Sequence, residues 1–205
     1  FSGQLPYNFQ KASILTYVIY LIARPVTQLY STPEKSPITS WAYSILGQIY
    51  VVLPLALLGV WGYKSDYQLF MNTEYLLMAL FVFVWTNDTG AYIVGCTLGK
   101  HRLFERISPK KSWEGFFGGL AFCIILASLA NYIIPGMLST AQWIGMGILT
   151  SIFSTWGDLC ESLLKRTAGV KDSGKILPGH GGILDRFDSE LIASPVIFIY
   201  LTFVL

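Results

Sequence analysis

The stretch Ser162–Asp188, which reads SLLKRTAGVKDSGKILPGHGGILDRFD, is the part of the sequence around which the rest is organised. It is a dense run of basic, acidic and glycine residues with one histidine, and strongly apolar segments flank it. Its bases can bind phosphate and its acids can ligate a hard metal ion. These residues are Lys165, Arg166, Lys171 and Lys175, and Asp172, Asp185 and Asp188. Ionisable groups are expensive in or against a bilayer, and a metal and cations together neutralise reacting phosphate oxygens. The stretch therefore predicts phosphate chemistry at a membrane surface.

The composition is typical of a membrane protein rather than of a soluble domain. Only 13% of the 205 residues are charged, and the mean hydropathy is +0.53. The formal net charge of +2 is less informative than the position of the bases, since five of the fourteen Lys and Arg fall in residues 100–111 and five in residues 165–186. The positive-inside rule predicts that both loops are cytoplasmic. The three cysteines, Cys96, Cys123 and Cys160, are expected to be buried and unpaired.

Six apolar spans can be read with a window of about 20 residues. They cover residues 9–30, 39–62, 75–95, 113–135, 142–164 and 190–205. The predicted fold class is an all-α, polytopic integral membrane protein of about six transmembrane helices with a polar cavity that faces the cytoplasm. Pro135-Gly136 is expected to close a helical hairpin, which returns the chain to the side of the basic loops. The polar run Thr86–Gly90 predicts a broken third helix, because Asp88 is a costly residue in a span and broken helices line cavities.

The domain organisation predicted is one transmembrane catalytic domain over residues 1–205. The chain opens on Phe1 rather than Met, so further helices are expected before it. Gly115 and Gly119 form a G-x-x-x-G pair on the fourth span, and this spacing favours close helix packing.

Asp158, Glu161, Ser162 and Lys165 have the spacing of one helix face, at i, i+3, i+4 and i+7. An exposed Glu161–Lys165 pair alone would explain part of the pattern. It leaves Asp158 unexplained, one turn deeper in apolar surroundings. We therefore interpret Asp158 as a ligand of a metal or of the substrate.

Asp185 and Asp188 stand three residues apart just before the last span. Acids in this position often cap a helix and complement its dipole. Together with Asp158, they would instead supply carboxylates from two helices to one Mg²⁺ ion, which needs few protein oxygens.

The turn Gly179–Gly182 carries consecutive amides that can form an anion-binding nest for phosphate. His180 within it has three candidate roles: a phosphate contact, a proton carrier or a hydrogen bond within the loop.

Ser108-Pro109-Lys110-Lys111 is typical of a helix start, with serine as the N-cap and proline at the first position. A helix N-terminus with two lysines suits a polyphosphate. Lysines that merely flank a span would occupy the same positions, although Glu114 one turn later is harder to explain in that way.

The motifs resemble the signature of phosphatidate cytidylyltransferase, also called CDP-diacylglycerol synthase. The matching blocks are Ser162, Lys165-Arg166, Lys171-Asp172, Pro178-Gly179-His180-Gly181-Gly182 and Asp185-Arg186-Phe187-Asp188. Three upstream blocks also match, namely Asp88 to Tyr92, Ser108 to Gly115, and Gly157 to Ser162. The resemblance covers about half of the chain, from Asp88 to Asp188.

The resemblance implies an integral membrane enzyme, in a bacterial inner membrane with its site towards the cytoplasm. It would convert CTP and phosphatidic acid to CDP-diacylglycerol and pyrophosphate. It also implies Mg²⁺ at Asp158 and Asp185, a monovalent cation such as K⁺ beside it, and a homodimer formed through membrane helices. Nucleic acid is not an expected partner.

The catalytic residues predicted are Asp158, Lys165, Asp185 and Asp188. The substrate-binding residues predicted are Asp88, Lys110, Lys111, Glu114, Glu161, Ser162, Arg166, Lys171, Asp172, His180, Gly181, Gly182 and Arg186.

The expected chemistry needs no strong general base, because the phosphate of phosphatidic acid has a second pKa of roughly 6–7 and is largely ionised at cytoplasmic pH. Positioning and charge neutralisation should then dominate catalysis, which favours His180 as a binder. The alternatives are another membrane phosphotransferase, such as a lipid kinase, and an ion-coupled transporter, which would also explain Asp88 and a broken helix.

Overall fold

The computed structural model describes residues 7–30, 36–62, 73–176 and 181–205. The chain forms two compact units, residues 1–74 and 75–205. The predicted role of His180 falls outside the described residues.

The first unit is helical throughout its described part. It contains α1 (Tyr7–Tyr30), α2 (Pro37–Gly47), a π-helical turn (Gln48–Val52) and α3 (Leu53–Gly62). Pro25 lies inside α1 without ending the helix. The guanidinium of Arg24 donates to Ser44 Oγ at 2.7 Å, so the one charge in this part of α1 has a polar partner on α2.

The second unit contains the remaining helices and a short β-hairpin. Its elements are α4 (Thr73–Leu98), β1 (Arg102–Phe104), β2 (Ser108–Ser112), α5 (Trp113–Ile133), α6 (Thr140–Thr167), α7 (Leu184–Phe187) and α8 (Glu190–Val204). Each of the six predicted spans corresponds to a helix or a continuous helical run. Four segments are long and apolar enough to cross a membrane by length and composition: Pro37–Gly59, Glu74–Leu98, Trp113–Ile133 and Leu184–Val204.

The hairpin β1–β2 corrects the all-α prediction, and it also corrects the predicted helix start at Ser108. The two strands pair antiparallel, with Arg102 opposite Ser112. The helix begins only at Trp113, where Ser112 is the N-cap and its Oγ accepts from Gly115 N at 3.1 Å. Glu114, in the first turn of that helix, accepts hydrogen bonds from the backbone of the chain before β1 and so ties the two ends of the hairpin together.

The prediction of a broken third helix is wrong, because α4 runs without interruption through Asn87 and Asp88. Asn87 is 1% exposed, and its amide reaches α6 instead of requiring an opened backbone. Its Oδ1 accepts from Ser151 Oγ at 2.7 Å, and its Nδ2 donates to Ser154 Oγ at 3.2 Å and to Thr155 Oγ1 at 3.3 Å. A polar side chain satisfied in this way lets the helix stay regular in an apolar setting.

Close backbone packing of α4 against α5 depends on glycine, as the G-x-x-x-G spacing predicts. A Cβ on Gly119 would lie 2.5 Å from Asn87 Oδ1, and one on Gly115 would lie 2.8 Å from the carbonyl oxygen of Ala91. There is no room for a side chain at either position. The two glycines therefore allow α5 to pack directly against the part of α4 that contains Asn87.

Helices α5 and α6 form the predicted antiparallel hairpin. Gly136 takes a positive φ of 79° in the turn between them, and Ser139 and Gln142 form a capping box at the start of α6. On its other side α6 packs along α8, where a Cβ on Gly157 would lie 2.6 Å from Asp188 O. The polar end of α6 therefore lies beside the start of α8.

Candidate active site

A cavity of about 550 Å³ lies between α4, the β-hairpin, the first turn of α5 and α6. Two acids, Asp88 and Asp158, and three bases, Arg102, Lys110 and Lys111, line it. Polar groups that converge on a concave surface of this size are typical of a small-molecule site. The structure thus brings together residues that the sequence places in three separate motifs.

Asp158 is the centre of the first charged group in this cavity. Its Oδ2 accepts from Lys111 Nζ at 2.5 Å, and its Oδ1 accepts from Ser162 Oγ at 3.2 Å. Asp88 and Asp188 both interact electrostatically with Asp158 and with Lys111. We call Asp88, Lys111, Asp158 and Asp188 the cavity cluster. It contains three carboxylates and one ammonium, so within the cluster itself the acids outnumber the base.

The cavity cluster fits Mg²⁺ by the chemistry of its donors, which are hard carboxylate oxygens with excess negative charge. In the part of the chain that the structure describes, no three acidic, histidine or cysteine side chains lie close enough to form a complete metal centre. Mg²⁺ does not require one, because it is usually held by one or two carboxylates, waters and substrate phosphates. Asp158 is the residue best placed to hold it.

Glu161, Lys165 and Asp185 form a second group, which we call the loop cluster. Lys165 Nζ pairs with Glu161 Oε2 and lies 2.7 Å from Asp185 Oδ1. The side chains of Glu161 and Asp185 are only 1% and 8% exposed. The predicted helix face of α6 thus divides: Ser162 bonds to Asp158 of the cavity cluster, whereas Glu161 and Asp185 both contact Lys165.

Asp185 holds the glycine-rich loop in place. Its Oδ2 accepts from the amide of Ser173 at 2.9 Å, from Ser173 Oγ at 2.8 Å and from the amide of Gly182 at 2.7 Å. Gly181 has a positive φ of 83°, and a Cβ there would lie 2.7 Å from Asp185 Oδ2. Only glycine suits that position. The Gly182 amide therefore bonds to Asp185 in this conformation, instead of remaining open to phosphate as the nest prediction expects.

Both oxygens of Asp185 accept from protein donors, and so do both oxygens of Asp158, through Lys111 and Ser162. The predicted sharing of one metal by Asp158 and Asp185 remains a prediction, and the donors around Asp185 would have to give way to it.

Four predicted substrate-binding residues lie at the exposed surface of this end of the unit: Arg166, Lys171, Asp172 and Arg186. Lys110 lines the cavity.

Glu114 has different surroundings from those expected of a residue that binds substrate. Its carboxylate accepts from the amides of Lys100 and His101 at 3.1 and 3.2 Å, and its Oε1 lies 2.6 Å from His101 Nδ1. These bonds anchor the hairpin.

Several residues of the site were not predicted from the sequence. Asn87 lies in the polar run and could have been singled out there as a buried amide. Arg102 lies in the basic segment 100–111, but nothing in the segment distinguishes it from the other bases. Glu190 is 3% exposed and interacts electrostatically with Asp188 and Asp88. The sequence feature that could have identified it is its position as an acid at the start of an apolar span.

The cysteines also differ from expectation. Cys123 is buried, as predicted, whereas Cys96 and Cys160 are exposed, and Cys96 lines the cavity.

Comparison with known proteins agrees with the geometry. The cytidylyltransferase family matches residues 3–204. The phosphatidate cytidylyltransferases of Staphylococcus aureus (strain COL) and Staphylococcus haemolyticus (strain JCSC1435) are each 41% identical to the chain, over 160 and 159 residues. That of Staphylococcus epidermidis (strain ATCC 12228 / FDA PCI 1200) is 40% identical over 159 residues. Each match covers 78% of this chain and 61% of the relative, so the chain spans about three fifths of the length of these curated relatives. With a match across nearly its whole length, the chain belongs to the cytidylyltransferase family.

Proposed function

We propose that this chain belongs to a membrane enzyme that transfers CMP from CTP to phosphatidic acid, with CDP-diacylglycerol and pyrophosphate as products. The observation that carries the proposal is the pairing of Lys111 with Asp158 at the wall of a polar cavity, beside two further carboxylates. This arrangement supplies both positive charge for phosphates and carboxylates for a metal. The names of the curated relatives support the same reaction.

In this reaction an ionised phosphate oxygen of phosphatidic acid attacks the α-phosphorus of CTP. A new P–O bond forms, the bond from the α-phosphorus to the α,β-bridging oxygen breaks, and pyrophosphate leaves with that electron pair. Since the nucleophile is already ionised, the protein has to position the two phosphates and neutralise the charge between them. No side chain has to remove a proton.

Lys111 is the base best placed to act on the phosphates, because it reaches the cavity from the hairpin while Asp158 orients its ammonium. Asp158 and Asp88 would hold Mg²⁺, which supplies Lewis-acid stabilisation of the phosphate oxygens when bound. Asp188 lies next to them and adds to the negative potential that attracts a cation. A monovalent cation such as K⁺ beside Mg²⁺ is part of the same proposal.

Besides their predicted catalytic role, Lys165 and Asp185 have a structural role. They bond to each other and to the loop through Ser173 and Gly182, so they position the segment that carries the exposed bases. Arg166, Lys171 and Arg186 are the candidates for contact with the lipid phosphate at the membrane surface. His180 is proposed as a phosphate binder in the same loop.

The membrane setting completes the proposal. The four apolar helices support an integral membrane protein, and the two basic segments support a cytoplasmic site in a bacterial inner membrane. We also propose one catalytic domain and a homodimer formed through membrane helices. The transporter alternative loses its main argument, because α4 is not broken at Asp88.

A direct experiment is to incubate the purified chain in detergent with CTP, Mg²⁺ and phosphatidic acid and to measure pyrophosphate release. We expect release that depends on both substrates, and little release with diacylglycerol in place of phosphatidic acid. Equal release with diacylglycerol would contradict the proposal.

A further inference from the structure

We propose that the β1–β2 hairpin is the triphosphate subsite of the cavity, and that Arg102 and Lys110 bind the terminal phosphates of the nucleotide. This inference rests on the proposed function, because it assigns one part of the substrate to one part of the site. It adds Arg102, which lies outside the motifs of the signature.

The first argument is charge. Arg102 and Lys110 both line the cavity, and neither has an ion-pair partner within the described residues. Lys111 beside them pairs with Asp158. Two cations that line a cavity without an ion-pair partner among the described residues favour an anion in that space.

The second argument is rigidity. Arg102 is paired across the hairpin with Ser112, which caps α5. One residue earlier, the carbonyl of His101 accepts from the amide of Trp113 at 2.9 Å, and its ring contacts Glu114 at 2.6 Å. The base of the hairpin is therefore fixed to the first turn of α5. A charge on a fixed strand binds a ligand at a lower entropy cost than one on a free loop.

The third argument favours a polyphosphate over a lipid phosphate. The same cavity is also lined by Asp88 and Asp158, which repel a lone phosphate. A polyphosphate has several phosphate groups, so its far end can reach Arg102 and Lys110 while its near end faces the acids across a cation. The hairpin also lies between the segments Glu74–Leu98 and Trp113–Ile133 rather than within them. The cavity volume of about 550 Å³ is within the usual range for small-molecule sites.

The test uses Cys96, which lines the cavity and can report on its occupation. In a Cys160→Ser background Cys96 is the remaining exposed cysteine of the described residues, since Cys123 is buried. We would measure the rate of maleimide labelling in detergent with Mg²⁺, with and without inorganic tripolyphosphate. We expect tripolyphosphate to slow labelling severalfold, with half-protection at about tenfold higher concentration in Arg102→Gln.

The matched control is Arg106→Gln, which removes a base of the same hairpin that does not line the cavity. It should leave the protection unchanged. A calorimetric titration of tripolyphosphate into the same three proteins gives the affinity independently of labelling, and circular dichroism checks that each is folded. Equal loss in Arg106→Gln, or an unchanged affinity in Arg102→Gln, would overturn the proposal. So would protection by phosphatidic acid micelles but not by tripolyphosphate.

The outcomes separate this inference from the proposed function. Protection by tripolyphosphate that depends on Arg102, in a protein that does not transfer CMP, would support the subsite and refute the reaction. CMP transfer without such protection would support the reaction and refute the subsite.

Discussion

The cavity cluster and the loop cluster each combine one lysine with several carboxylates, but the surroundings of these charged groups differ. In the loop cluster Lys165 lies between two nearly buried carboxylates, and Asp185 accepts further bonds from Ser173 and Gly182. In the cavity cluster Lys111 pairs with Asp158 and interacts electrostatically with Asp88 and Asp188; of these three carboxylates, Asp88 and Asp158 line the cavity. In the first group two carboxylates share one lysine, whereas in the second group three carboxylates share one lysine.

The difference suggests two roles for the charged residues of the motifs: binding of ligands in one cluster and support of the structure in the other. A buried ion pair is costly to break, because removal of one partner leaves an uncompensated buried charge. A group with uncompensated charge beside a cavity is costly to keep unless a ligand or a cation uses it. We therefore expect substitutions in the cavity cluster to act on turnover and those in the loop cluster to act on structure as well.

The largest effect is expected for Asp158→Asn. The amide keeps the shape of the side chain but loses the charge that orients Lys111 and would hold Mg²⁺. Turnover should fall by far more than tenfold, which corresponds to more than about 1.4 kcal/mol of transition-state stabilisation, while the melting temperature changes little. A steady-state assay at saturating Mg²⁺ and a thermal unfolding scan measure both. Activity above about a tenth of wild type would contradict the assigned role.

Asp185→Asn should lose turnover and also loosen the loop. It removes one of the two carboxylates that pair with Lys165. It also replaces the carboxylate that accepts hydrogen bonds from Ser173 and Gly182. Hydrogen exchange at those two amides should speed up at least tenfold, and the melting temperature should fall by several degrees. Asp158→Asn is the matched control and should leave both amides protected. Equal protection in the two variants would remove the distinction between the clusters.

Asn87→Ala tests the polar contact between α4 and α6 that lies beside the cavity. The substitution leaves Ser151 without its acceptor in a fully buried position, and an unsatisfied buried group costs about 1–3 kcal/mol. We expect a lower melting temperature and a reduced kcat with a nearly unchanged KM for CTP, because Asp88 follows directly on α4. A larger KM with unchanged stability would point to direct contact of Asn87 with the nucleotide.

Glu114→Gln is expected to have the smallest effect. It weakens the anchor between α5 and the chain before β1, so the amides of Lys100 and His101 should exchange faster. If the hairpin binds the nucleotide, KM for CTP should rise severalfold while the KM for phosphatidic acid stays the same. Glu105→Gln, a change in the exposed turn of the hairpin, is the control. A rise confined to the KM for phosphatidic acid would contradict this account and place Glu114 near the lipid substrate.

Hydropathy predicted the helices well, because apolar length is a local property that survives folding. The turn at Pro135-Gly136 and the packing of Gly115 and Gly119 were predictable for the same reason. The β-hairpin was not predictable, since the Ser108–Lys111 segment matches a helix start, whereas its strand pairs with β1 and Glu114 bonds to Lys100 and His101 thirteen or fourteen positions away.

The site was predictable in its residue types but not in its grouping. The spacing of Asp158, Glu161 and Lys165 places them near one helix face, but spacing does not say which neighbours meet that face. Those neighbours are Lys111 and Asp185, which lie far along the chain in opposite directions. A broken helix was predicted at the polar run Thr86–Gly90 for a related reason: the hydroxyl groups that bond to Asn87 and allow the helix to continue lie 64 to 68 positions later.

The central claim, CMP transfer at the cavity cluster, is tested most directly by following two radioactive labels of CTP. The chain would be incubated with phosphatidic acid and with CTP labelled at the α- or at the γ-phosphate, and the lipid fraction counted for wild type and Asp158→Asn. We predict that α-label enters the lipid, that γ-label leaves as pyrophosphate, and that Asp158→Asn transfers neither. Entry of γ-label into the lipid would show a kinase, and full transfer of α-label by Asp158→Asn would place the chemistry outside the cavity cluster.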